Sequence, residues 1–440
     1  MNEFQKTARE MLDFIEKSPT CFHAVANIGT MLEEAGFQRL RETEEWKLQK
    51  GGRYYTERND SSVIAFSVPA EGVKGFHMAA AHSDSPCFKI KEKPELTVEE
   101  HYLRLNTEKY GGMILSSWLD RPLSVAGRLA VRGEGGIETR LVNVDEDLCV
   151  IPNVAIHMNR EMNKGVEYNP QVDMLPLFAD AAFETQEQEA AKNGASAGKI
   201  TLHKLMAKKA GVDEESILGE DLFLYTRQEG RLIGTSGEFV LSPRLDDLQS
   251  AFALVKAFTE TAPAEYINIC AVFDNEEVGS GTRQGADSTF LEDTLQRITE
   301  GLGESRSTYL QWVAGSFLIS ADNAHAVHPN HPEKADPTNR PYLNGGIVIK
   351  YHGSQKYTTD GVSAAHMKDY CERAKVPYQT YANRSDIAGG STLGNISTAH
   401  VSVSSVDIGL PQLAMHSAVE TAGMKDTEYA VRALKEFWRE

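Results

Sequence analysis

The sequence predicts an α/β fold: a mostly parallel sheet covered by helices, with an inserted β-rich domain. From Ser242 onward, apolar strand segments alternate with helical segments at α/β spacing. Between residues 93 and 235, short alternating segments and glycine-rich turns replace this pattern. The 440 residues also exceed what one hydrophobic core usually supports. We therefore predict one α/β domain from residues 1–92 and 236–440, and an inserted domain over residues 93–235.

The elements of the first half follow from the spacing of apolar residues. Helical spacing predicts helices over residues 4–17 and 22–35, and Gly36 stands where the second should end. Apolar runs predict strands over residues 62–68 and 76–82, which supply the first strands of the main sheet. In the middle block we expect a helix over residues 202–210 and a mobile loop over the polar residues 185–199.

The second half alternates regularly. We predict strands over residues 266–273, 316–321, 346–351 and 401–408. Helices are predicted over residues 249–261, 288–301, 361–374 and 424–438. Such alternation is typical of a largely parallel sheet with helices on both faces.

Composition excludes several classes of function. The formal net charge of −18 argues against nucleic acid or an anionic membrane as a partner. No apolar run approaches the roughly 18 residues of a membrane span, and the polar N-terminus lacks the features of a signal peptide. The five cysteines are dispersed without paired spacing, which is typical of reduced thiols. We expect a cytoplasmic protein.

Metal-competent side chains recur where predicted strands end. They are His82, Asp246, Glu276, Glu277, Asp322 and His416. In open α/β sheets, ligands bind beyond the carboxyl ends of the strands, and imidazole and carboxylate groups suit zinc. Five ligands with one shared Asp would give each of two metals three protein contacts. The remaining Glu, next to a ligand Glu, is well placed as a general base.

Each of these residues also has an ordinary structural explanation. The Glu276-Glu277 pair could be a charged turn, and Asp246 could cap the helix that begins near Leu248. Asp322 could cap a turn, and a single histidine such as His416 is more often a core residue. The recurrence of all of them at strand ends, in this order, favours a metal site.

Five motifs resemble the aspartyl aminopeptidase family, also called the zinc aminopeptidase I family. They are Ala81-His82-Ser83-Asp84-Ser85-Pro86, Ser242-Pro243-Arg244-Leu245-Asp246, Phe273-Asp274-Asn275-Glu276-Glu277-Val278-Gly279-Ser280, Ser320-Ala321-Asp322-Asn323-Ala324-His325-Ala326-Val327-His328-Pro329-Asn330 and Ala414-Met415-His416-Ser417. The resemblance covers essentially the whole chain. It implies a zinc-peptidase-like sheet, an inserted β-rich dimerisation domain, and a homo-oligomer that is a dodecamer built from dimers.

The resemblance also implies a role for each residue of the candidate site. His82 and Asp322 would bind one zinc ion. Glu277 and His416 would bind the other, with Asp246 bridging the two. The two catalytic residues of this expectation are Asp84, which would orient His82, and Glu276, which would be the general base.

Four further residues resemble substrate-pocket positions of the family. They are His157, His325, Lys350 and Arg384. His157 could instead be an ordinary strand residue of the insert, and Lys350 a surface lysine. The chain departs from the family pattern at Val419, where the family commonly has Arg, and at Asp247, where it has Asn. The first departure weakens the expectation of an acidic substrate.

We therefore expect an aminopeptidase with two divalent metal ions per chain, zinc with cobalt or manganese as alternatives. It would release the N-terminal residue of peptides with a modest preference for Asp or Glu. Alternatives are an aminopeptidase of broad or neutral preference, a two-metal amidohydrolase or deacylase, and a non-catalytic oligomeric binding protein.

Overall fold

The computed structural model describes residues 2–181, 201–387, 389–390 and 392–440. The loop predicted over residues 185–199 lies outside the described residues. The chain forms two compact units. The first comprises Met1–Ser85, Glu229–His416 and Glu420–Glu440, and the second comprises Pro86–Gln228 with Ser417–Val419. The domain boundaries predicted after residues 92 and 235 lie a few residues C-terminal to the observed boundaries, which follow Ser85 and Gln228.

The strands are numbered in chain order. They are β1 (Gln38–Leu40), β2 (Arg53–Arg58), β3 (Ser62–Ser67), β4 (Phe76–His82), β5 (Cys87–Val98), β6 (Tyr102–Tyr110), β7 (Leu123–Gly133), β8 (Gly136–Asn143), β9 (Leu177–Asp180), β10 (Ile217–Thr226), β11 (Arg231–Ile233), β12 (Phe239–Ser242), β13 (Ile267–Phe273), β14 (Phe317–Ala321), β15 (Ala324–His325), β16 (Ile347–Tyr351), β17 (Tyr378–Ala382), β18 (Ser404–Gly409), β19 (Pro411–Leu413) and β20 (Glu420–Gly423).

The α-helices of the described residues are likewise numbered in order. They are α1 (Glu3–Glu16), α2 (Cys21–Glu34), α3 (Leu202–Ala210), α4 (Leu245–Thr259), α5 (Phe290–Gly301), α6 (Arg306–Ala314), α7 (Gly361–Ala374), α8 (Leu393–His400) and α9 (Asp426–Trp438). No helix among them is long and apolar enough to cross a membrane.

A nine-stranded sheet forms the centre of the first unit. Its order is β1-β2-β3-β13-β4-β14-β18-β16-β17. The central strands β13, β4, β14 and β18 run parallel, whereas β3 pairs antiparallel with β13, and β16 with β18. Because the central strands are parallel, their carboxyl ends meet at one edge of the sheet.

Helices bury both faces of this sheet. Residues of β4 alternate between two cores: Ala79 and Ala81 pack with α1, α2, α4, α7 and α9, whereas Met78 and Ala80 pack with α5, α6 and α8. Burial on both faces explains why β4 and β13 read as uninterrupted apolar runs. The predicted α/β class, with a mostly parallel sheet covered by helices, is confirmed.

Two smaller sheets complete the fold. In the first unit, β11-β12-β20-β19-β15 form a five-stranded sheet that the sequence pattern did not indicate. In the second unit, β8-β7-β10-β5-β6-β9 form an antiparallel sheet. Its apolar face packs around Phe88, Trp118 and Leu129, which gives this unit a core of its own.

Candidate metal centre

The centre is assembled at the carboxyl edge of the nine-stranded sheet. His82 is the last residue of β4 and pairs in register with Phe273, the last residue of β13. Asp322 follows β14 directly, and a short 3₁₀ turn, Glu276–Val278, follows β13. Since β13, β4 and β14 are parallel neighbours, these side chains converge.

Two further segments contribute to the same point. Asp246 lies at the start of α4, where its backbone is not yet helical (φ −83°, ψ 107°). His416 lies in the connection between β19 and β20 and has a left-handed backbone (φ 66°). The structure thus brings together the five residues that the sequence predicted as ligands.

Asp246 lies between the two histidines. Its Oδ1 atom is 3.4 Å from His82 Nε2, and its Oδ2 atom is 3.5 Å from His416 Nε2. His416 Nε2 is also 3.3 Å from Glu277 Oε1, and His82 Nε2 is 4.0 Å from Asp322 Oδ1. One carboxylate therefore offers one oxygen to each side, as a bridging ligand does.

These residues fit divalent cations. Within the described part of the chain, the buried Asp246 Oδ1 and Glu277 Oε1 atoms accept no hydrogen bond. The His–carboxylate separations of 3.3–3.5 Å exceed the roughly 2.7–2.9 Å of a charge-assisted hydrogen bond. They match the spacing of about 3.3 Å between two ligands that each lie about 2.0–2.1 Å from a tetrahedral zinc ion.

Ligand atoms within 4.8 Å of one another fall into two groups. One contains His82, Asp246 and Glu277, and the other contains Asp246, Asp247 and Asp322. Asp246 belongs to both. Glu276 and His416 are in neither group, so this grouping does not separate a ligand from a base.

Asp84 orients the ligands around it. His82 Nδ1 donates to the Asp84 backbone oxygen at 3.1 Å and lies 3.3 Å from Asp84 Oδ1. This hydrogen bond fixes the tautomer, so the Nε2 lone pair faces the centre. The Asp84 carboxylate also accepts the backbone N–H groups of Glu276 (3.1 Å) and Glu277 (3.2 Å), which holds the 3₁₀ turn against β4.

Burial and the neighbouring negative charges raise the pKa values of both glutamates. Burial, reinforced by Asp322, Glu277 and Asp84 against the opposing effect of His82, raises the pKa of Glu276 to about 8. Burial also raises the pKa of Glu277 to about 7, with Asp246 adding to the shift and His416 opposing it. Bound cations would favour the ionised form of Glu277, the candidate ligand.

Sequence reasoning missed Glu420. This buried residue accepts the backbone N–H of His416 on Oε1 (2.7 Å) and that of Asp246 on Oε2 (3.0 Å). It therefore fixes the backbone of two candidate ligands. The available signal was an acidic residue four positions after His416, which carries little information without the fold.

In the sequence, Asp247 stands out only as a departure from the family pattern. The structure buries it completely, and its Oδ2 accepts the backbone N–H of His82 at 3.2 Å. Its Oδ1 accepts no hydrogen bond from the described residues. The residue adds negative charge directly beside the predicted ligands.

Lys350 is a buried lysine and not a surface one. Its side chain is 3% exposed, and its Nζ donates to the Asn323 backbone oxygen at 3.0 Å. The same Nζ lies 3.6 Å from Asp322 Oδ2 and 5.4 Å from the centre of the Tyr357 ring. The alternative of a solvated surface lysine is therefore wrong.

The other three predicted pocket residues differ in their settings. His325 lines an open cavity of about 320 Å³ in the first unit. Arg384 is half-exposed and pairs with both carboxylate oxygens of Asp386, at 2.9 and 2.8 Å. His157 lies in the second unit and is exposed. Contact of Arg384 or His157 with a substrate stays a prediction.

Comparison with known proteins finds relatives that match nearly the whole chain. Residues 14–438 match the model of the aminopeptidase I zinc metalloprotease (M18) family. A "Probable M18 family aminopeptidase 2" of Clostridium novyi (strain NT) is 47% identical and covers 98% of each chain. The chain in the "Cryo-EM structure of the Ape4 and Nbr1 complex" superposes with a TM-score of 0.94 at 37% identity, covering 99% of this chain and 86% of that chain.

A further solved relative is the "Structure of S. cerevesiae mApe1 dodecamer". It superposes with a TM-score of 0.84 at 27% identity and covers 99% of this chain and 97% of that chain. Family model, curated relatives and solved structures agree along the full length. The chain therefore belongs to the M18 family of aminopeptidase I zinc metalloproteases, which are hydrolases.

Proposed function

We propose that this protein is a two-metal aminopeptidase that releases the N-terminal residue of peptides. The observation that carries the proposal is the Asp246 carboxylate, which presents one oxygen to His82 and the other to His416. In this assignment, His82 and Asp322 hold one divalent ion. Glu277 and His416 hold the second, and Asp246 bridges them. Zinc is the proposed metal, with cobalt and manganese as alternatives.

When bound, the ions would polarise the scissile carbonyl and acidify the attacking water. Glu276 accepts the proton of that water and passes it to the leaving amine. The Asp84 carboxylate holds the Glu276 backbone N–H, so the base is fixed relative to His82.

The proposal is tested by removing the metals. A chelator should abolish hydrolysis of aminoacyl peptides, and zinc, cobalt or manganese should restore it. Elemental analysis should find about two ions per active chain, the number that a bridged site holds. Full activity in protein shown to be metal-free would refute the proposal. Cleavage of acylamino acids in preference to peptides would indicate a deacylase.

We propose a modest preference for N-terminal Asp or Glu, with Lys350 as its source. Lys350 Nζ has three donor directions, and the Asn323 oxygen takes one of them. Asp322, 3.6 Å away, already neutralises part of its charge. Since a charge-assisted contact contributes about 1.5–3 kcal/mol, we expect acidic residues to be favoured on the order of 10-fold over Leu or Ala.

The measurement is kcat/KM on peptides that begin with Asp, Glu, Leu or Ala, for the wild type and Lys350→Ala. In the variant, the ratio of kcat/KM for acidic peptides to kcat/KM for Leu or Ala peptides should fall to about one. This holds even if overall turnover also falls because Asp322 loses a neighbour. If Leu or Ala is favoured by the wild type, the enzyme has a broad or neutral preference. If the ratio survives in the variant, Lys350 is not its source.

We also propose a cytoplasmic homo-oligomer, a dodecamer built from dimers through the second unit. The dodecameric relative described above and the dispersed cysteines support this proposal. Peptides are the proposed partners, and neither nucleic acid nor a membrane is, because the net charge is −18.

A further inference from the structure

Asp407 of β18 is a completely buried residue whose charge acts on the Lys350 ammonium. Strands β18 and β16 are antiparallel neighbours, and Ile408 of one pairs with Ile349 of the other. Both isoleucines pack into the core that contains α1, α2, α4, α7 and α9. The adjoining residues, Asp407 and Lys350, therefore face the other side of the sheet. Lys350 thus has a second carboxylate near it, in addition to that of Asp322.

Three donors hold the Asp407 carboxylate in place. Its Oδ2 atom accepts the backbone N–H of Thr358 at 2.6 Å and the hydroxyl of the same residue at 2.8 Å. Its Oδ1 atom accepts the hydroxyl of Thr392. Both oxygens are therefore acceptors with a fixed direction. Such hydrogen bonds and a nearby ammonium are what a buried negative charge requires.

The Lys350 ammonium lies against a candidate metal ligand. Its Nζ atom is 3.6 Å from Oδ2 of Asp322, whereas Oδ1 of the same carboxylate is 4.0 Å from Nε2 of His82. One oxygen of this ligand thus faces the ammonium and the other faces the centre. A positive charge beside the carboxylate reduces its attraction for a divalent ion, and burial strengthens the effect because it lowers the local dielectric constant.

The position of the Lys350 ammonium is fixed by its surroundings. A Cβ atom added at Gly409 would lie 2.9 Å from Lys350 Cε and 2.2 Å from the Asp322 backbone oxygen, so the lysine stem lies directly against the backbone of β18. The Nζ atom also donates to the Asn323 backbone oxygen at 3.0 Å. Because the ammonium is held near Asp322, its effect on this ligand depends on which other charges lie beside it.

We propose that Asp407 is a positioning residue of the metal centre: it balances the Lys350 ammonium, so that Asp322 keeps its negative charge for the metal ion. The inference rests on the proposed two-metal function. Without the Asp407 charge, the ammonium would be balanced by Asp322 alone, and this ligand would hold its ion more weakly. Asp407 acts through Lys350 and Asp322 and contacts neither ion itself.

Asp407→Asn removes the charge and keeps the hydrogen bonds. The amide oxygen of Asn can accept from Thr358, and its NH₂ group can donate to the Thr392 hydroxyl, which is also an acceptor. Titration with zinc in competition with a chromogenic chelator measures the affinity of both ions. One of the two affinities should fall at least about 10-fold, as outer partners of metal ligands usually cause, and the other should fall less.

Lys350→Met is the complementary variant, because it removes the ammonium and keeps a long side chain. It should bind zinc at least as tightly as the wild type. The double variant Lys350→Met/Asp407→Asn should recover the zinc affinity that Asp407→Asn loses, since neither charge remains. A merely structural role of Asp407 predicts no such recovery, because two independent defects add up.

Asp426→Asn is the matched control. Asp426 is equally buried and accepts the backbone N–H groups of Asn344 (2.7 Å) and Gly346 (2.9 Å), just before β16. An Asn side chain has only one acceptor atom for these two donors. The urea midpoint of the metal-free protein should therefore fall, whereas both zinc affinities should stay those of the wild type.

The outcomes separate this inference from the proposed function. A wild type that binds two zinc ions without cleaving peptides overturns the proposed function alone, and one that binds no zinc overturns both. Unchanged affinities in Asp407→Asn, or no recovery in the double variant, overturn only the role of Asp407. If Asp407→Asn does not fold, Asp407→Ser replaces it with the same expectations. If neither folds, Asp407 is a structural residue and the inference is overturned.

Discussion

At the scale of single residues, Asp84 links the parts of the candidate site. Its carboxylate accepts the N–H groups of Glu276 and Glu277 and lies beside His82 Nδ1. A shift of Asp84 would therefore move the proposed base, one ligand and the orientation of another together. Outer hydrogen bonds of this kind usually change metal affinity or activity about 10–100-fold when they are removed.

The two glutamates have different proposed roles, a base (Glu276) and a metal ligand (Glu277), and these roles can be tested separately. Glu276→Gln keeps the size of the side chain and removes the base, so turnover should fall at least roughly 100-fold, while metal content stays near normal. Glu277→Gln is the matched variant, and it should lower metal content as well. Elemental analysis and steady-state kinetics on both proteins measure these effects.

Near-normal turnover in Glu276→Gln would reject Glu276 as the base. Loss of metal in that variant would instead show that the two glutamates share or exchange their roles.

The sequence predicted those residues of the centre that directly follow strands. An apolar strand with a polar residue at its end is a pattern that a short stretch of sequence shows. His82 and Asp322 are of this kind. Glu420 could not be recognised in this way. Its two hydrogen bonds depend on how β20 returns beside α4, and that arrangement is set by tertiary contacts and not by any local pattern.

At the scale of elements, several helices followed the sequence pattern, whereas the shortest strands did not. Predicted helices over residues 202–210 and 361–374 have the observed bounds of α3 and α7. β15 has two residues and β19 has three, which is too short to show a period of two. The five-stranded sheet was therefore missed, since its pairing depends on strands from distant parts of the chain.

The contact between β4 and α9 predicts an acid-sensitive element. His77 of β4 stacks on Tyr266 (3.6 Å between ring centres) and on Phe437 (4.6 Å), and its Nδ1 lies 3.2 Å from the Phe437 backbone oxygen. Burial lowers the pKa of His77 to about 4, against the opposing effect of that hydrogen bond. In the folded protein the ring therefore stays neutral at pH values where the unfolded chain is protonated.

The sign of the effect follows from proton binding. Below about pH 6.5 the unfolded state binds a proton at His77 that the folded state does not, until the pH approaches about 4. The contribution of His77 to the free energy of unfolding is therefore fully present above about pH 6.5, and it is lost as the pH falls toward about 4. The contribution is about 2 kcal/mol between pH 7 and pH 5.

Urea unfolding of the metal-free wild type and of His77→Phe at pH 7 and pH 5 measures this contribution. Phe keeps the stacking but cannot titrate. Between pH 7 and pH 5, the free energy of unfolding of the variant should therefore fall by about 2 kcal/mol less than that of the wild type. An equal loss in both proteins would mean that His77 does not titrate between these values.

At the scale of the whole molecule, the second unit exposes apolar side chains. Ile156 is 45% exposed and Met158 is 81% exposed, and they flank His157. Large exposed apolar side chains that cluster along a chain are typical of an interaction surface. This observation supports the proposal that the second unit mediates assembly and that His157 lies at a boundary between subunits.

Light scattering should therefore give a mass well above the 48.6 kDa of one chain. Ile156→Glu combined with Met158→Glu should dissociate the oligomer, because buried unpaired charges oppose association. Val362→Glu is the matched control, at an apolar residue of the first unit that is 66% exposed. His157→Ala should keep the oligomer and lower activity.

An active monomer would contradict both the assembly and the shared site. A fully active His157→Ala oligomer would contradict only the shared site.

The order of strands in the main sheet has a consequence for how the protein is made. β4 lies between β13 and β14, and β3 also pairs with β13, yet the whole of Pro86–Gln228 is translated between β4 and β13. A ribosome therefore releases β4 long before either of its partners exists, and β3 long before β13, although β3 can already pair with β2. The second unit, with a core of its own, can fold in this interval, as domains usually do during synthesis.

The first unit has to wait for β13 and for α9 near the end of the chain. Until then β4 has no sheet partner and β3 has only β2, which exposes the nascent chain to aggregation and to dependence on chaperones. Pairing across so large a sequence separation is also slow. The position of the insertion thus makes the first unit, which holds the candidate metal centre, the last part to form, so a product truncated before His416 lacks that centre.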